Sequence, residues 1–191
     1  STKKINKYFY WSAQEVAENT NKIIKETDNY IDDFDHLIFN TVKRTVISDK
    51  PLAFFLSGGV DSTLIAGIAN SFSSNKINTF TAGFENKKNF VDERHYAREI
   101  ANTLNTNHDE FLIVEKDLYE SVTEMPKIFC EPFGDSSQIP TYLISKKMRE
   151  NFTVAISGDG GDEIFGGYYR NFNGYKTWNK IKKLNKIQKK I

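Results

Sequence analysis

The sequence predicts an α/β domain whose mainly parallel sheet is flanked by helices. Short apolar runs, residues 52–56, 77–84, 111–114 and 152–157, alternate with longer stretches whose apolar residues recur at helical spacing. A glycine turn, Ser57-Gly58-Gly59, joins the first run directly to such a helical stretch. Strands alternating with helices build βαβ units with right-handed crossovers, and such sheets bind ligands where the loops gather at the carboxyl ends of the strands.

Composition narrows the class. Of 191 residues, 39% are hydrophobic and 27% charged, and the net charge of +1 exerts no global pull toward nucleic acid or a membrane surface. A single cysteine, Cys130, forbids an internal disulfide and fits a reducing compartment. No apolar run approaches the roughly 20 residues of a membrane span. Ser1-Thr2-Lys3-Lys4 lacks the apolar core of a signal peptide and there is no initiating Met, so a piece of a longer cytoplasmic protein is expected.

The elements follow in order. Residues 1–30 are polar around an aromatic knot, Tyr8-Phe9-Tyr10-Trp11, and Ser12 with Glu15 reads as a capping box. The knot is expected to pack on the following domain, because no basic stripe accompanies it as in a base-stacking platform. Residues 31–48 predict a helix with Ile31, Phe34, Leu37, Ile38, Val42 and Val46 on one stripe and His36 among acids near the wet side. Pro51 separates it from the first strand, whose uncharged run suits burial on both faces. The next helix is expected to bury Leu64, Ile65, Ile68, Ala69 and Phe72.

Residues 77–84 form the second strand, where Gly83 admits a neighbour close to the backbone. After a polar loop at 85–91, Asp92 is expected to cap a helix burying Ala97, Ile100, Ala101 and Leu104. His108-Asp109-Glu110 leads into the third strand. His95 and His108 lack the spacing of a metal pair and read as structural or substrate-adjacent. Residues 117–129 predict a helix bent or ended around Pro126, and 138–151 one with Pro140 in its first turn.

Two glycine-bearing loops carry the chemistry. After the first strand comes Ser57-Gly58-Gly59-Val60-Asp61-Ser62. Strand, glycine turn and helix N-terminus make an anion site, since glycines admit a ligand and the first helical N–H groups lack internal partners. Asp61 stands where a Walker loop has its lysine. A carboxylate beside phosphate implies a bridging cation, so Mg²⁺ is expected. The loop resembles the pyrophosphate loop of the ATP pyrophosphatases. The fourth strand runs into Ser157-Gly158-Asp159-Gly160-Gly161-Asp162-Glu163-Ile164-Phe165-Gly166-Gly167-Tyr168. Asp162 is expected to give Mg²⁺ a second carboxylate opposite Asp61, completing an oxygen-only shell with phosphate and water.

These loops, in this order, resemble the synthetase domain of glutamine-dependent asparagine synthetases over roughly residues 30–175. Asp92-Glu93, Asn107-His108-Asp109-Glu110 and Glu131-Pro132 agree with it. The resemblance implies an adenine nucleotide alpha hydrolase-like (ATP pyrophosphatase) fold. It divides the chain into a linker at 1–30, a synthetase domain at 31–175 and a basic amphipathic helix at 176–191. It implies that Leu56 and Ala82 touch the adenosine of ATP, that Ser57, Gly58, Gly59, Asp61 and Ser62 hold the pyrophosphate, and that Ser157 and Gly158 line the nucleotide site. It assigns Mg²⁺ to Asp61 and Asp162, and acyl-adenylate formation to Asp159, where many members carry the longer Glu.

The implied reaction adenylates aspartate to β-aspartyl-AMP and displaces AMP with ammonia that a glutaminase domain, absent here, takes from glutamine. The family's catalytic lysine region is absent too, so this piece alone is expected to be incomplete. The partners are small molecules and the glutaminase domain, with no nucleic acid and no membrane, and a homodimer is allowed. Three alternatives stay open: a related synthetase acting on another carboxylate, a tRNA-modifying pyrophosphatase, and a non-catalytic remnant of the fold. The tail beyond Asn171 carries seven lysines and no acid, with Trp178, Ile181, Leu184 and Ile187 at about helical spacing.

Overall fold

A computed structural model describes residues 7–19, 29–85, 92–131, 134–135 and 137–182. The chain divides into two compact units, residues 1–39 and 40–191. The first holds α1 (Ala13–Glu18), where the Ser12 hydroxyl accepts from the Glu15 N–H, and the start of α2 (Tyr30–Thr45). Tyr8, Phe9 and Tyr10 are exposed. The stripe along α2 is unevenly used: Ile31 and Leu37 are exposed, whereas Val42 is buried.

The second unit is built on a four-stranded, all-parallel sheet of order β3-β2-β1-β4. The strands are β1 (Leu52–Phe55), β2 (Asn78–Phe84), β3 (Asn107–Ile113) and β4 (Val154–Ile156). Its helices are α3 (Val60–Phe72), α4 (Arg94–Leu104), α5 (Glu115–Val122), α6 (Met125–Phe129), α7 (Gln138–Met148), α8 (Gly161–Phe165) and α9 (Tyr169–Ile181). The α/β class read from the alternating runs is the class observed.

β1 is buried at its centre, with Ala53, Phe54 and the following Leu56 all inside. That burial explains its uncharged run. One core cluster joins Ala53, Phe80 and Met148 to Phe55, Phe111, Ile144 and Phe152. The Phe80 ring meets those of Phe111 and Phe152 at 5.9 and 6.4 Å between centroids, tilted and edge-on. On α3 and α4 the buried apolar residues are small: Ala66 and Ala69 of α3, Ala97 and Ala101 of α4. Asn70 Nδ2 donates to the Leu104 carbonyl at 2.9 Å, satisfying a C-terminal acceptor of α4.

Four details depart from the sequence expectations. The buried face of α3 is Ser62, Ala66 and Ala69, while Leu64 is exposed. Small side chains at this spacing let the helix approach β1 and α4 closely, which a row of leucines would prevent. β3 begins at Asn107, four residues early, because it pairs with β2 over seven positions from Asn78↔Asn107 to Phe84↔Ile113. The predicted helix at 117–129 is two helices. Pro126 has no N–H to donate and its ring would meet the carbonyl of Val122, where α5 stops. Asp92 lies one residue before the N-cap Glu93, and accepts from the Arg94 N–H and guanidinium.

Candidate active site

The strand order fixes where a site can form. From β1 to β2 to β3 the chain steps one way across the sheet; from β3 it returns past β1 to β4. Right-handed crossovers then put α3 and α4 on one face and α7 on the other. β1 and β4 are parallel neighbours at the point where the strand order reverses, so a crevice opens beyond their carboxyl ends. Both glycine loops leave the sheet there.

The first loop is tied by one side chain. Ser62 Oγ, in the first turn of α3, accepts from the Ser57 N–H at 3.2 Å, donates to the Gly59 carbonyl at 3.2 Å and lies 3.1 Å from Ser57 Oγ. These bonds, made by a buried hydroxyl, hold strand end and helix start together. Gly58 has φ +84°, and a Cβ there would lie 2.7 Å from that of Tyr96, so only glycine makes this turn beside α4. The N-cap, Gly59, offers no side chain, and no side-chain capping bond serves the first turn of α3. This uncapped helix of 13 residues presents free donors and the positive end of its dipole to the crevice.

The second loop lies on the first. A Cβ on Gly158 would come 2.8 Å from the Ser62 nitrogen and 3.0 Å from Asp61 Cβ. One on Gly161 would come 2.5 Å from Asp61 Cγ. The Asp61 carboxylate is therefore seated against the backbone one residue before Asp162. Asp162 is turned toward Gly167, whose missing side chain leaves room for its Oδ1. Asp159 is exposed, and its Oδ2 accepts from the Ser157 hydroxyl at 3.0 Å. Further along, the Tyr168 hydroxyl donates to Glu163 Oε1 at 2.5 Å, and the Arg170 guanidinium covers the Tyr168 ring at 4.1 Å. The Tyr168 hydrogen bond holds the Glu163 carboxyl below the usual carboxylate range.

Beside the crevice is a mostly apolar cavity of about 180 Å³. Leu56, Ser57, Phe80 and Ala82 of the strand ends form one wall, and Pro140, Thr141 and Ile144 of α7 another. Leu56 and Ala82, expected at the adenosine, line the same space. Together the pieces offer an apolar slot that opens at Ser57 toward unpaired helix N–H groups and two carboxylates. Such a slot suits a flat apolar group joined to a polyanion.

The donors also fit Mg²⁺. Asp61 and Asp162 supply hard carboxylate oxygens, and no His or Cys stands in either loop. Among the described residues no cluster of three or more His, Cys, Asp or Glu is set for a metal ion. Such an ion would complete its shell from phosphate and water, as Mg²⁺ commonly does.

A polar network stands behind the site, between β2, β3 and α4. Thr79 Oγ1 lies 2.7 Å from Thr106 Oγ1 and 2.8 Å from His108 Nδ1, while His108 Nε2 is buried without a hydrogen-bond partner among the described residues. Arg98 clamps Glu110 through two 2.6 Å bonds. Burial pushes the His108 imidazole below its usual 6.5, outweighing the nearby Glu110 and Asp109. The Arg98 hydrogen bonds hold the Glu110 carboxyl below its usual 4.5. In both cases the unfolded chain binds more protons, so stability falls as pH falls. The His108 contribution is complete above pH 6.5 and is lost on acidification through its lowered folded value. That of Glu110 is lost only below pH 4.5. Thermal melts from pH 8 down to about pH 2 should therefore fall in two stages, and His108→Asn should remove the first alone. An unchanged profile for that variant would refute the assignment.

Reading the sequence missed three contributors. Glu93 lines the cavity, Tyr96 packs against Gly58, and α7 supplies a cavity wall. The Asp92-Glu93 pair was visible as a family likeness, but nothing in its spacing places Glu93 in the cavity. The Glu131-Pro132 likeness falls partly on Pro132, which lies outside the described residues.

The asparagine synthase family description matches residues 33–190. A putative glutamine-hydrolysing asparagine synthetase 2 of Methanocaldococcus jannaschii is 38% identical over 186 residues, 97% of this chain and 34% of that protein. Glutamine-hydrolysing asparagine synthetase 1 of Bacillus subtilis is 34% identical over 84% of this chain and 24% of its own length. The chain thus spans about a third or less of these relatives. Among solved structures, NMN synthetase of Francisella tularensis aligns with a TM-score of 0.48 and 16% identity, over 72% of this chain and 58% of that one. No described helix is long and apolar enough to cross a membrane.

Proposed function

This chain belongs to the asparagine synthase family, and from that premise we propose that it is the ATP-binding, adenylating part of an amide-forming ligase. The observation that carries the reading is the seating of Gly158 and Gly161 on Asp61 and Ser62, at the uncapped start of α3 and beside the cavity lined by Leu56 and Ala82.

In this reading the adenosine of ATP enters the apolar cavity. The triphosphate lies over the free N–H groups of α3 and the Ser57 hydroxyl, which orient the α-phosphorus toward the acid substrate. Asp61 and Asp162 would hold Mg²⁺, which when bound supplies positive charge against the triphosphate. The side-chain carboxylate of aspartate attacks the α-phosphorus. A new O–P bond forms, the bond to the β-phosphate oxygen breaks, and pyrophosphate leaves with that electron pair. The same backbone donors stabilise the departing charge. Ammonia, derived from glutamine by a glutaminase domain, then attacks the acyl carbon of β-aspartyl-AMP. AMP leaves, ammonia gives up a proton, and asparagine remains. Asp159, at the crevice mouth, is assigned to the adenylation step. It is shorter than the Glu of many relatives, and its bond to Ser157 sets where its carboxylate sits.

ATP–pyrophosphate exchange by the full protein with a panel of carboxylic acids tests this. Aspartate is expected to support exchange at least 100-fold above the other amino acids. Exchange with a different carboxylate would assign the chain to a related synthetase. No exchange with any acid, despite bound ATP, would mark a non-catalytic remnant.

A further inference from the structure

Glu93 is a charged side chain in the wall of an otherwise mostly apolar cavity. Its neighbours there are Phe84, Ile113, Thr81 and Thr141, besides the strand-end residues already described. It is the N-cap of α4, yet its carboxylate makes no capping bond, and no donor among the described residues is set against it. The residue is exposed, which sets it at the rim of the cavity rather than in its floor. A carboxylate at an apolar mouth with no internal partner is positioned to accept from something that enters.

We infer that Glu93 accepts hydrogen bonds from the ribose hydroxyls of the nucleotide, and so selects ribonucleotide over deoxyribonucleotide. This rests on the reading of the cavity as the adenosine site. Three arguments favour the sugar over the other parts of the nucleotide. The triphosphate is disfavoured, because a carboxylate outside the Asp61 and Asp162 pair assigned to Mg²⁺ would repel it. The edges of a purine present ring-nitrogen lone pairs beside the amine, which a carboxylate also opposes. The ribose diol offers two adjacent donors and lies between the base, in the apolar slot, and the phosphates, beyond Ser57. Two hydroxyls match two carboxylate oxygens, and hydrogen bonds to a charged acceptor are the stronger kind. Partial desolvation at the mouth pushes the Glu93 carboxyl upward, and a donor pair would relieve that cost.

The test is equilibrium binding of ATP and of 2′,3′-dideoxy-ATP, each with Mg²⁺, to the full chain and to its Glu93→Ala and Glu93→Gln variants. Wild type is expected to prefer ATP by about tenfold. Glu93→Ala should lose that preference by weakening ATP alone, with dideoxy-ATP bound as before. Glu93→Gln, which keeps one acceptor, should retain part of it. A merely structural role would weaken both nucleotides equally, and that result overturns the inference, as does an unchanged preference in Glu93→Ala. If wild type binds neither nucleotide, the adenosine site itself is wrong and the inference falls with it.

Discussion

Asp61→Asn is expected to lower ATP–pyrophosphate exchange by a factor of about 100 to 1,000, with the fold retained. The two side chains have nearly the same shape, and the Asp61 side chain is seated against the Gly161 backbone. The substitution removes charge without opening a gap between the loops. What is lost is the hard anionic oxygen beside a polyanion. Asp162→Asn should act in the same direction. The check is exchange activity, together with thermal melts with and without ATP and Mg²⁺. Wild type should gain stability from the nucleotide and both variants should gain much less. Equal protection of all three proteins would overturn the metal assignment. A drop in the ligand-free melting temperature would instead point to a structural role for the carboxylate.

Gly158→Ala is expected to destabilise the fold by about 2 kcal/mol and to abolish nucleotide protection. The added methyl would lie 2.8 Å from the Ser62 nitrogen. That atom belongs to the backbone of the first turn of α3 and cannot rotate aside as a side chain would. Either β4 must draw away from β1 or the helix start must move, and each change separates the two loops. The melting temperature should fall by about 5 °C. Gly67→Ala, inside α3 with nothing within 4 Å of its added methyl, is the matched control. It should raise stability by about 0.5–1 kcal/mol, since alanine is the better helix former. If both substitutions behave alike, the loops do not pack as described.

Much of this architecture is legible in the residues. β1 announces itself because burial on both faces requires an uncharged run, and the glycine turn after it marks a strand feeding a helix. Two things hide. β3 is a sheet edge in which His108 and Glu110 find polar partners in Thr79 and Arg98, so its alternation contains charges where a strand reader looks for apolar residues. The face of α3 hides because close packing selects Ser62, Ala66 and Ala69, whereas hydrophobicity alone points to leucine and isoleucine. At the site, the loop residues are readable from local order: glycines, a helix start and a carboxylate. Glu93, Tyr96 and the α7 wall are not, because their roles arise from tertiary placement. No spacing rule links Pro140 or Glu93 to Leu56.

The pairing of β1 with β4 has a kinetic meaning. The units β1-α3-β2 and β2-α4-β3 close over short stretches of chain, whereas β4 must find β1 after everything between them has been laid down. Contacts of long sequence separation carry the largest closure entropy and form late. The surface proposed to grip the triphosphate exists only once that last strand docks. A nucleotide should thus act as a brake on unfolding and leave the refolding rate almost untouched, because nothing it recognises is present at the barrier.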